Sequence, residues 1–544
     1  RQSKMAIVDA EAPFIAAATD TALAGVSDFR GRLVYRSTSG GWRSALFVIV
    51  VEVASTFAYF GLSANLITYM TGPLEHSNAA AASAVNVWSG TASLMPLLGA
   101  FVADSWLGRY RSIILGCILY VMGYGMITIV STLPALHLSP HDDNGLPSML
   151  VAFFYASLYI IAIARGIDKP CGVAFAADQF DPDHPRERVA RSSLFNWWYF
   201  SIAIGMAAAI AMISYIQENV GWGIGFGMLC AIMFCSFFVF LLGSPTYRIY
   251  APTPGNESPF TRLGSGLVAL AKSSSFPFGA REDDLREEED GAAVTRSEEA
   301  RTVLRLLLIW AACLAYGVVF AQIMTFFNKQ GRTLDRRIFG GLVLPPAALQ
   351  TFTPVSILVF VPLYDRVLVP ALHRMTGNPT GLTLLQRVGT GMAVSLAAVC
   401  VAALVEGRRL ETAREHGLVD DAGATVPMSW VWLVPQYVMV GVADVFAMIG
   451  MQEFFYDQMP SELRSLGLAL YYSVIGMGGF ISGGLISLID SITTGYGGDS
   501  WFADNLNHAH LDYFYWLLAA ISAAELALFI RLASSYAYRN KIVT

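Results

Sequence analysis

The stretch Gly99-Ala-Phe-Val-Ala-Asp104-Ser-Trp-Leu-Gly108-Arg109-Tyr-Arg111 sits between two long apolar runs, near Ala81 to Ala103 and Ser112 to Leu133. It places one acid and two bases around a glycine turn, where one hydrophobic segment ends and the next begins. Charges in such a place belong at a membrane face, and a pairing among them latches helix ends in one conformation and releases them in another. Asp104, Arg109 and Arg111 are therefore candidate gating residues. The plainer reading is a short positive loop that fixes orientation.

A helix that crosses a bilayer needs about 20 mostly apolar residues. The first half of the chain offers six such stretches, near Ser44 to Thr71, Ala81 to Ala103, Ser112 to Leu133, Met149 to Ala177, Phe195 to Tyr215 and Gly223 to Leu242. The second half offers six more, near Val303 to Phe327, Ala347 to Val369, Leu382 to Leu404, Val431 to Phe455, Leu466 to Ile489 and Leu511 to Ala533. The composition agrees: 55% of residues are hydrophobic and 14% charged, against about 25% charged in soluble domains. The expected protein is an all-α membrane protein with twelve transmembrane helices in two six-helix bundles.

The expected division is an N-terminal tail over 1–43, a bundle over 44–243, a linker over 244–302, a second bundle over 303–535 and a tail over 536–544. The linker carries the acidic run Arg281-Glu-Asp-Asp-Leu-Arg-Glu-Glu-Glu-Asp290 and reads as solvated. No cleavable signal peptide is evident in the first forty residues, so both tails and the linker are expected in the cytosol. Most Lys and Arg between spans agree with that orientation. Arg332, Arg336, Arg337, Arg408, Arg409 and Arg414 go against it.

The six cysteines all fall inside expected spans, with no metal spacing and no pairing pattern. No nucleophile with a base, no metal cluster and no phosphate-cradling loop marks an enzyme. No metal, cofactor or nucleic-acid partner is expected, and the net charge of -6 is largely the acidic linker.

Several blocks carry a resemblance. Phe57-Ala-Tyr-Phe-Gly61, Lys169-Pro-Cys171, Ala177-Asp-Gln-Phe-Asp181 and Phe195-Asn-Trp-Trp-Tyr-Phe200 lie in the first half. Tyr316-Gly-Val-Val-Phe-Ala-Gln322, Gln452-Glu-Phe-Phe-Tyr-Asp-Gln458 and Trp501-Phe-Ala-Asp-Asn-Leu-Asn507 lie in the second. Together with the Gly99 to Arg111 loop they resemble the plant nitrate/peptide transporter family, within the proton-coupled oligopeptide transporters of the major facilitator superfamily. The resemblance implies the major facilitator fold, two halves rocking about a central site, and a proton as co-substrate.

One departure matters. Where the family has Glu-x-x-Glu-Arg, span 1 reads Glu52-Val-Ala-Ser55-Thr56, so two groups used for proton coupling are neutral. The resemblance makes Lys169 the partner of Glu52, and Glu453 an acid facing the cavity from span 10; its alternative is a rim acid. Glu52, Lys169 and Glu453 are the candidate proton-coupling residues. Pro170 is expected to open the helix at Lys169. Arg165 and Asp168 read most simply as a structural ion cluster.

Phe320 stands where nitrate-carrying relatives have histidine, and it offers an anion neither charge nor hydrogen bond. Tyr59, Asn196, Trp197, Phe320, Gln322, Gln350, Phe352, Trp432 and Tyr471 are the candidate solute-binding residues, a mixed aromatic and polar set suited to an organic ligand. The expected function is a secondary transporter of a small organic solute such as a peptide, hormone, sugar or specialised metabolite, with altered or weakened proton coupling. The alternatives are a nitrate transporter and a solute sensor regulated by a protein kinase at Ser112. The membrane is the plasma membrane or the vacuolar membrane.

Overall fold

The computed structural model describes residues 22–103, 107–132, 148–181, 184–250, 265, 291–338, 341, 343–376, 382–459, 464–495 and 500–536. Eleven of its helices are long and apolar enough to cross a membrane, and a bent pair brings the number to twelve. Within each helix the backbone donors and acceptors pair internally, as a chain segment surrounded by lipid requires, and the breaks in spans 1 and 7 are served from neighbouring helices.

The first half contains span 1 (Gly41–Ser63, continued as Leu66–Thr71), span 2 (Asn78–Val102), span 3 (Arg109–Thr132), span 4 (Ser148–Asp178), span 5 (Pro185–Asn219) and span 6 (Trp222–Gly243). In the second half, span 7 begins at Gly291, inside the expected linker, and runs to Ala311 before resuming at Leu314–Ala321. Its two pieces meet at a 43° bend. Span 8 (Phe352–Leu363), span 9 (Leu384–Glu415), span 10 (Val434–Gln458), span 11 (Arg464–Gly495) and span 12 (Leu511–Ser534) follow.

Pro170 does not open span 4. The helix is continuous through it, because a proline removes only one backbone donor and a helix packed on both sides absorbs that loss.

Two features were not expected. Strands β1 (Ala22–Ser27), β2 (Leu33–Tyr35) and β3 (Ile249–Tyr250) form an antiparallel sheet in the order β2-β1-β3, joining the N-terminal tail to the exit of span 6. Beneath it, Arg248 is 1% exposed and donates to the Gln179 and Ser39 carbonyls and to Glu187. This sheet marks the terminal face, which the charge pattern assigns to the cytosol.

At the far face, Arg337, Arg408 and Arg409, three of the six arginines that go against the charge rule, pair with nearby acids. Arg409 and Glu406 form a fully buried pair, and Arg409 also donates to Asn507 and the Leu506 carbonyl. Arg408 pairs with Glu411, and Arg337 with Asp335.

The halves meet along span 2 and span 11, which cross closely enough that a Cβ at Gly90 would lie 2.7 Å from the Gly476 carbonyl oxygen. Hydrogen bonds between the halves gather at the far face. The buried Ala64 carbonyl, freed where span 1 breaks, accepts from Asn328 Nδ2 and Gln350 Nε2, each at 2.8 Å. Lys329 donates to Thr71, Asn86 to Ser482 and Asn78 to the Ala503 carbonyl.

Candidate transport site

Span 1 reads Glu52, Ser55, Thr56 and Tyr59 along one face, at the three- and four-residue spacing that aligns helical side chains, and all four are buried. Span 4 packs against that face. Lys169 forms an ion pair with Glu52 and donates to Thr56 Oγ1 at 3.0 Å. The pairing expected for Lys169 is present; side-chain exposure is 12% for the lysine and 5% for the glutamate. A charge at this depth costs about 2.5–3.5 kcal/mol on insertion scales, and the ion pair offsets that cost for both residues.

Arg165 and Asp168 do not form the ion pair expected of a structural cluster. Arg165 lies over the Tyr59 ring, its guanidinium carbon 3.7 Å from the centroid, a favourable cation–π arrangement when water is excluded. Asp168 is 1% exposed, hydrogen-bonded to the Ser55 side chain and in electrostatic contact with Glu52, Lys169 and Arg165. Its Oδ2 and Arg165 Nη1 are both buried without a hydrogen-bond partner. The two are three positions apart on span 4, but tyrosine's ring holds the guanidinium away.

Tyr59 stacks on Trp88 with centroids 5.4 Å apart, and its hydroxyl meets Ser89 Oγ at 3.4 Å. It belongs to a packed joint between spans 1, 2 and 4. Two of the other expected solute-binding residues make internal hydrogen bonds. Gln350 is used by the Ala64 carbonyl, and Gln322 donates to Ser482 and to the Val318 carbonyl. Both are buried, because an unpaired amide at membrane depth is costly and each finds an internal acceptor.

Phe320 is partly buried against the core, and Phe352 stacks on Trp430 at 6.0 Å. Tyr471 is buried beside Tyr472, at 4.9 Å. Trp197 and Trp432 are exposed, at 56% and 54%. The Asn196 side chain lies outside the described residues, as does Asp104 of the gating loop.

Of the remaining gating residues, Arg109 pairs with Asp178 at 2.5 Å, joining spans 3 and 4 at the terminal face, and Arg111 is exposed. Gly108 precedes them at φ +73°, a conformation glycine adopts without strain. Ser112 is fully buried and donates to the Gly108 carbonyl at 2.9 Å. In this conformation the hydroxyl is out of reach of a kinase.

In the second half, Glu453 is half exposed and sits 3.5 Å from Arg387 of span 9. The buried acid of span 10 is Asp444, which accepts a hydrogen bond from Tyr316 of span 7. Glu453 and Asp444 are about two and a half helical turns apart and so point to opposite faces. A third acid, Glu525 of span 12, accepts from the backbone N–H of Ala315 at the break in span 7. The signal for both was in the sequence: an ionisable residue inside an apolar span is a functional candidate by itself.

The family description "POT family" matches residues 110–502. The chain belongs to the POT family. Among curated relatives, Protein NRT1/PTR FAMILY 5.10 of Arabidopsis thaliana is 50% identical over 536 residues, covering 94% of this chain and 96% of the relative. Protein NRT1/PTR FAMILY 5.14 of the same plant is 47% identical over 537 residues, with the same coverage. A solved structure of an auto-inhibited POT family peptide transporter superposes with TM-score 0.73 at 19% identity, over 92% of this chain and 99% of that one. This POT family member is thus a multi-pass membrane transporter and not an enzyme, and its two bundles have the major facilitator fold.

Proposed function

We propose that this POT family member moves a small organic solute by alternating access, with proton coupling altered from that of relatives that carry the full span 1 motif. The observation that carries this reading is the buried Glu52–Lys169 pair between spans 1 and 4, with neutral Ser55 and Thr56 beside it. A paired charge held at membrane depth is retained for a mechanism more often than for stability. The partly buried Phe320 favours an organic ligand over nitrate.

Solved POT family structures include complexes with 5-aminolevulinic acid and with a thioalcohol-conjugated peptide. They make small molecules bearing both an amine and a carboxylate the first probes. The test is uptake of labelled 5-aminolevulinic acid and of a labelled dipeptide into proteoliposomes with an imposed proton gradient, with and without a protonophore. Uptake that Lys169→Ala abolishes supports the reading, as does an accumulation ratio below the roughly fifty-fold that one charge moved through about 100 mV supplies. Uptake of nitrate in preference to both organic probes overturns it.

A further inference from the structure

We propose that Asp168 is the carboxylate at which this transporter takes up its proton, with Arg165 as the switch that reads its state. The inference rests on the alternating-access reading above and names the proton site within it.

The buried cluster between spans 1 and 4 holds two acids and two bases, but they are not equivalent. Glu52 is neutralised by Lys169, whose ammonium is further engaged by Thr56. Each acid has one buried oxygen without a hydrogen-bond partner, Glu52 Oε2 and Asp168 Oδ2, but among the described residues Asp168 has only the Ser55 hydroxyl as a hydrogen-bond partner and no cation paired with it. The base that would complete it, Arg165, is parked on the face of Tyr59 with Nη1 also unpartnered. One pair is closed and the other is open.

The groups around Asp168 leave it as the acid that exchanges. Span 1 presents Glu52, Ser55, Thr56 and Tyr59, of which only Glu52 carries a carboxyl group and it is already paired. Span 3 presents Gly116, where a Cβ would lie 3.3 Å from that of Asp168, and the buried Cys117, Tyr120 and Tyr124. The Tyr120 and Tyr124 hydroxyls are unpartnered, so they offer hydrogen bonds but no cation. Span 4 itself supplies Arg165 and Lys169.

The two states follow. With a proton from water on Asp168, the carboxyl is neutral, no ion pair forms, and Arg165 stays over Tyr59 as seen here. When the proton leaves, the bare carboxylate draws Arg165 off the ring to close the second pair on span 4. That frees Tyr59, which stacks on Trp88 and meets Ser89 of span 2, and so loosens the joint between spans 1, 2 and 4.

The test needs no knowledge of the solute. In a background with all six cysteines replaced, spin labels at Arg43→Cys and Arg305→Cys, both exposed near the terminal face, report the opening between the halves in reconstituted protein as pH varies. A single linked proton changes the ratio of two populations by up to about tenfold per pH unit. The expected result is a severalfold change per pH unit in the parent protein, a flat profile in Asp168→Asn, and recovery of the slope in Asp168→Asn/Ser55→Glu, which returns a carboxylate to the cluster from span 1.

Recovery by Ser55→Glu separates a proton site from a purely structural aspartate, which such a substitution cannot repair. An Asp168→Asn profile as steep as the parent's overturns the inference and leaves the transporter reading standing. A single population at every pH in all three proteins overturns both. Should Asp168→Asn fail to fold, Arg165→Gln carries the test: it removes the reader and flattens the profile, and a parental slope in it counts against the switch.

Discussion

The two halves of the molecule bury acids in different ways. In the first half, Glu52 faces an ammonium and Asp168 lies near a guanidinium, so protonation changes which ion pairs exist. In the second half, apart from the Glu406–Arg409 pair at the far face, Asp444 meets a tyrosine hydroxyl and Glu525 a backbone N–H, neutral donors that bind either form of a carboxyl group. Charge compensation makes the first cluster sensitive to any amide substitution, whereas hydrogen bonding makes the second tolerant of one. The halves share an architecture, yet the buried carboxylates of spans 1 and 4 lie beside cations while those of spans 10 and 12 meet neutral donors.

The largest test of that contrast is Lys169→Ala. Removing one partner of a buried ion pair costs about 3–5 kcal/mol, and uptake of the labelled probes is expected to vanish while a thermal-shift measurement shows a large loss of stability. The double variant Glu52→Gln/Lys169→Met removes both charges and is expected to recover most of the stability without recovering uptake. If the double variant transports normally, the pair is structural and the contrast between the halves is lost.

In the second half the expected costs are smaller. Tyr316→Phe leaves buried Asp444 without its donor, a loss of about 1–3 kcal/mol, whereas Asp444→Asn keeps an acceptor for the hydroxyl and is expected to cost less than about 1 kcal/mol. Uptake in Asp444→Asn should stay within a few-fold of the parent. An Asp444→Asn variant as inactive as Lys169→Ala would place a second essential charge in span 10 and break the comparison.

Much of this architecture is legible in the sequence because lipid imposes one rule, a long apolar run for each crossing. The runs from Ser44 and Leu511 begin within a few residues of the helices Gly41–Ser63 and Leu511–Ser534. Span 7 was legible as a span but not as a broken one, since Ala312 and Cys313 carry no helix-breaking signal and the bend is capped from a distant helix by Glu525. The sheet of β1, β2 and β3 was missed because strands this short have no pattern of their own and are joined across more than two hundred residues.

For the site, the Glu52–Lys169 contact was foreseen through the family resemblance. Gln322 and Gln350 were assigned to solute because both are polar in apolar surroundings, a pattern equally produced by internal acceptors such as the Ala64 carbonyl. In the sequence, Asp168 reads with Arg165 as a structural ion cluster, since the two are three positions apart on one helix. What singles it out is the parking of Arg165 on Tyr59, a three-dimensional fact with no trace in residue spacing.

The smallest effect belongs to the terminal face, where a charged cluster includes Glu187 in the first turn of the span 5 helix, ahead of its apolar stretch Phe200–Asn219. Burial opposes ionisation of Glu187, but hydrogen bonds from Arg248 and the Asp181 backbone, with the charges of Arg248 and Arg36, hold its pKa below the usual glutamate value. In the turn between β1 and β2, backbone hydrogen bonds from Arg32 and Arg30 likewise hold the Asp28 carboxyl below its usual range. A depressed carboxyl contributes stability that is present above its unfolded pKa, about 4.3 for glutamate and 3.9 for aspartate, and is lost as pH falls through the folded value. The sheet is therefore expected to be indifferent to pH near neutrality and to loosen only in acid. Hydrogen exchange at the paired residues Val26–Tyr250 and Ser27–Ile249 measures this, after correction for the intrinsic pH dependence of exchange. Protection should fall below about pH 4 in the parent protein, by no more than about tenfold per pH unit for each proton taken up. Glu187→Gln should begin with weaker protection and lose less of it on acidification, while Asp28→Asn alters the turn alone. If Glu187→Gln titrates like the parent, the Arg248 cluster does not hold the sheet, and the acid sensitivity comes from the β1–β2 turn.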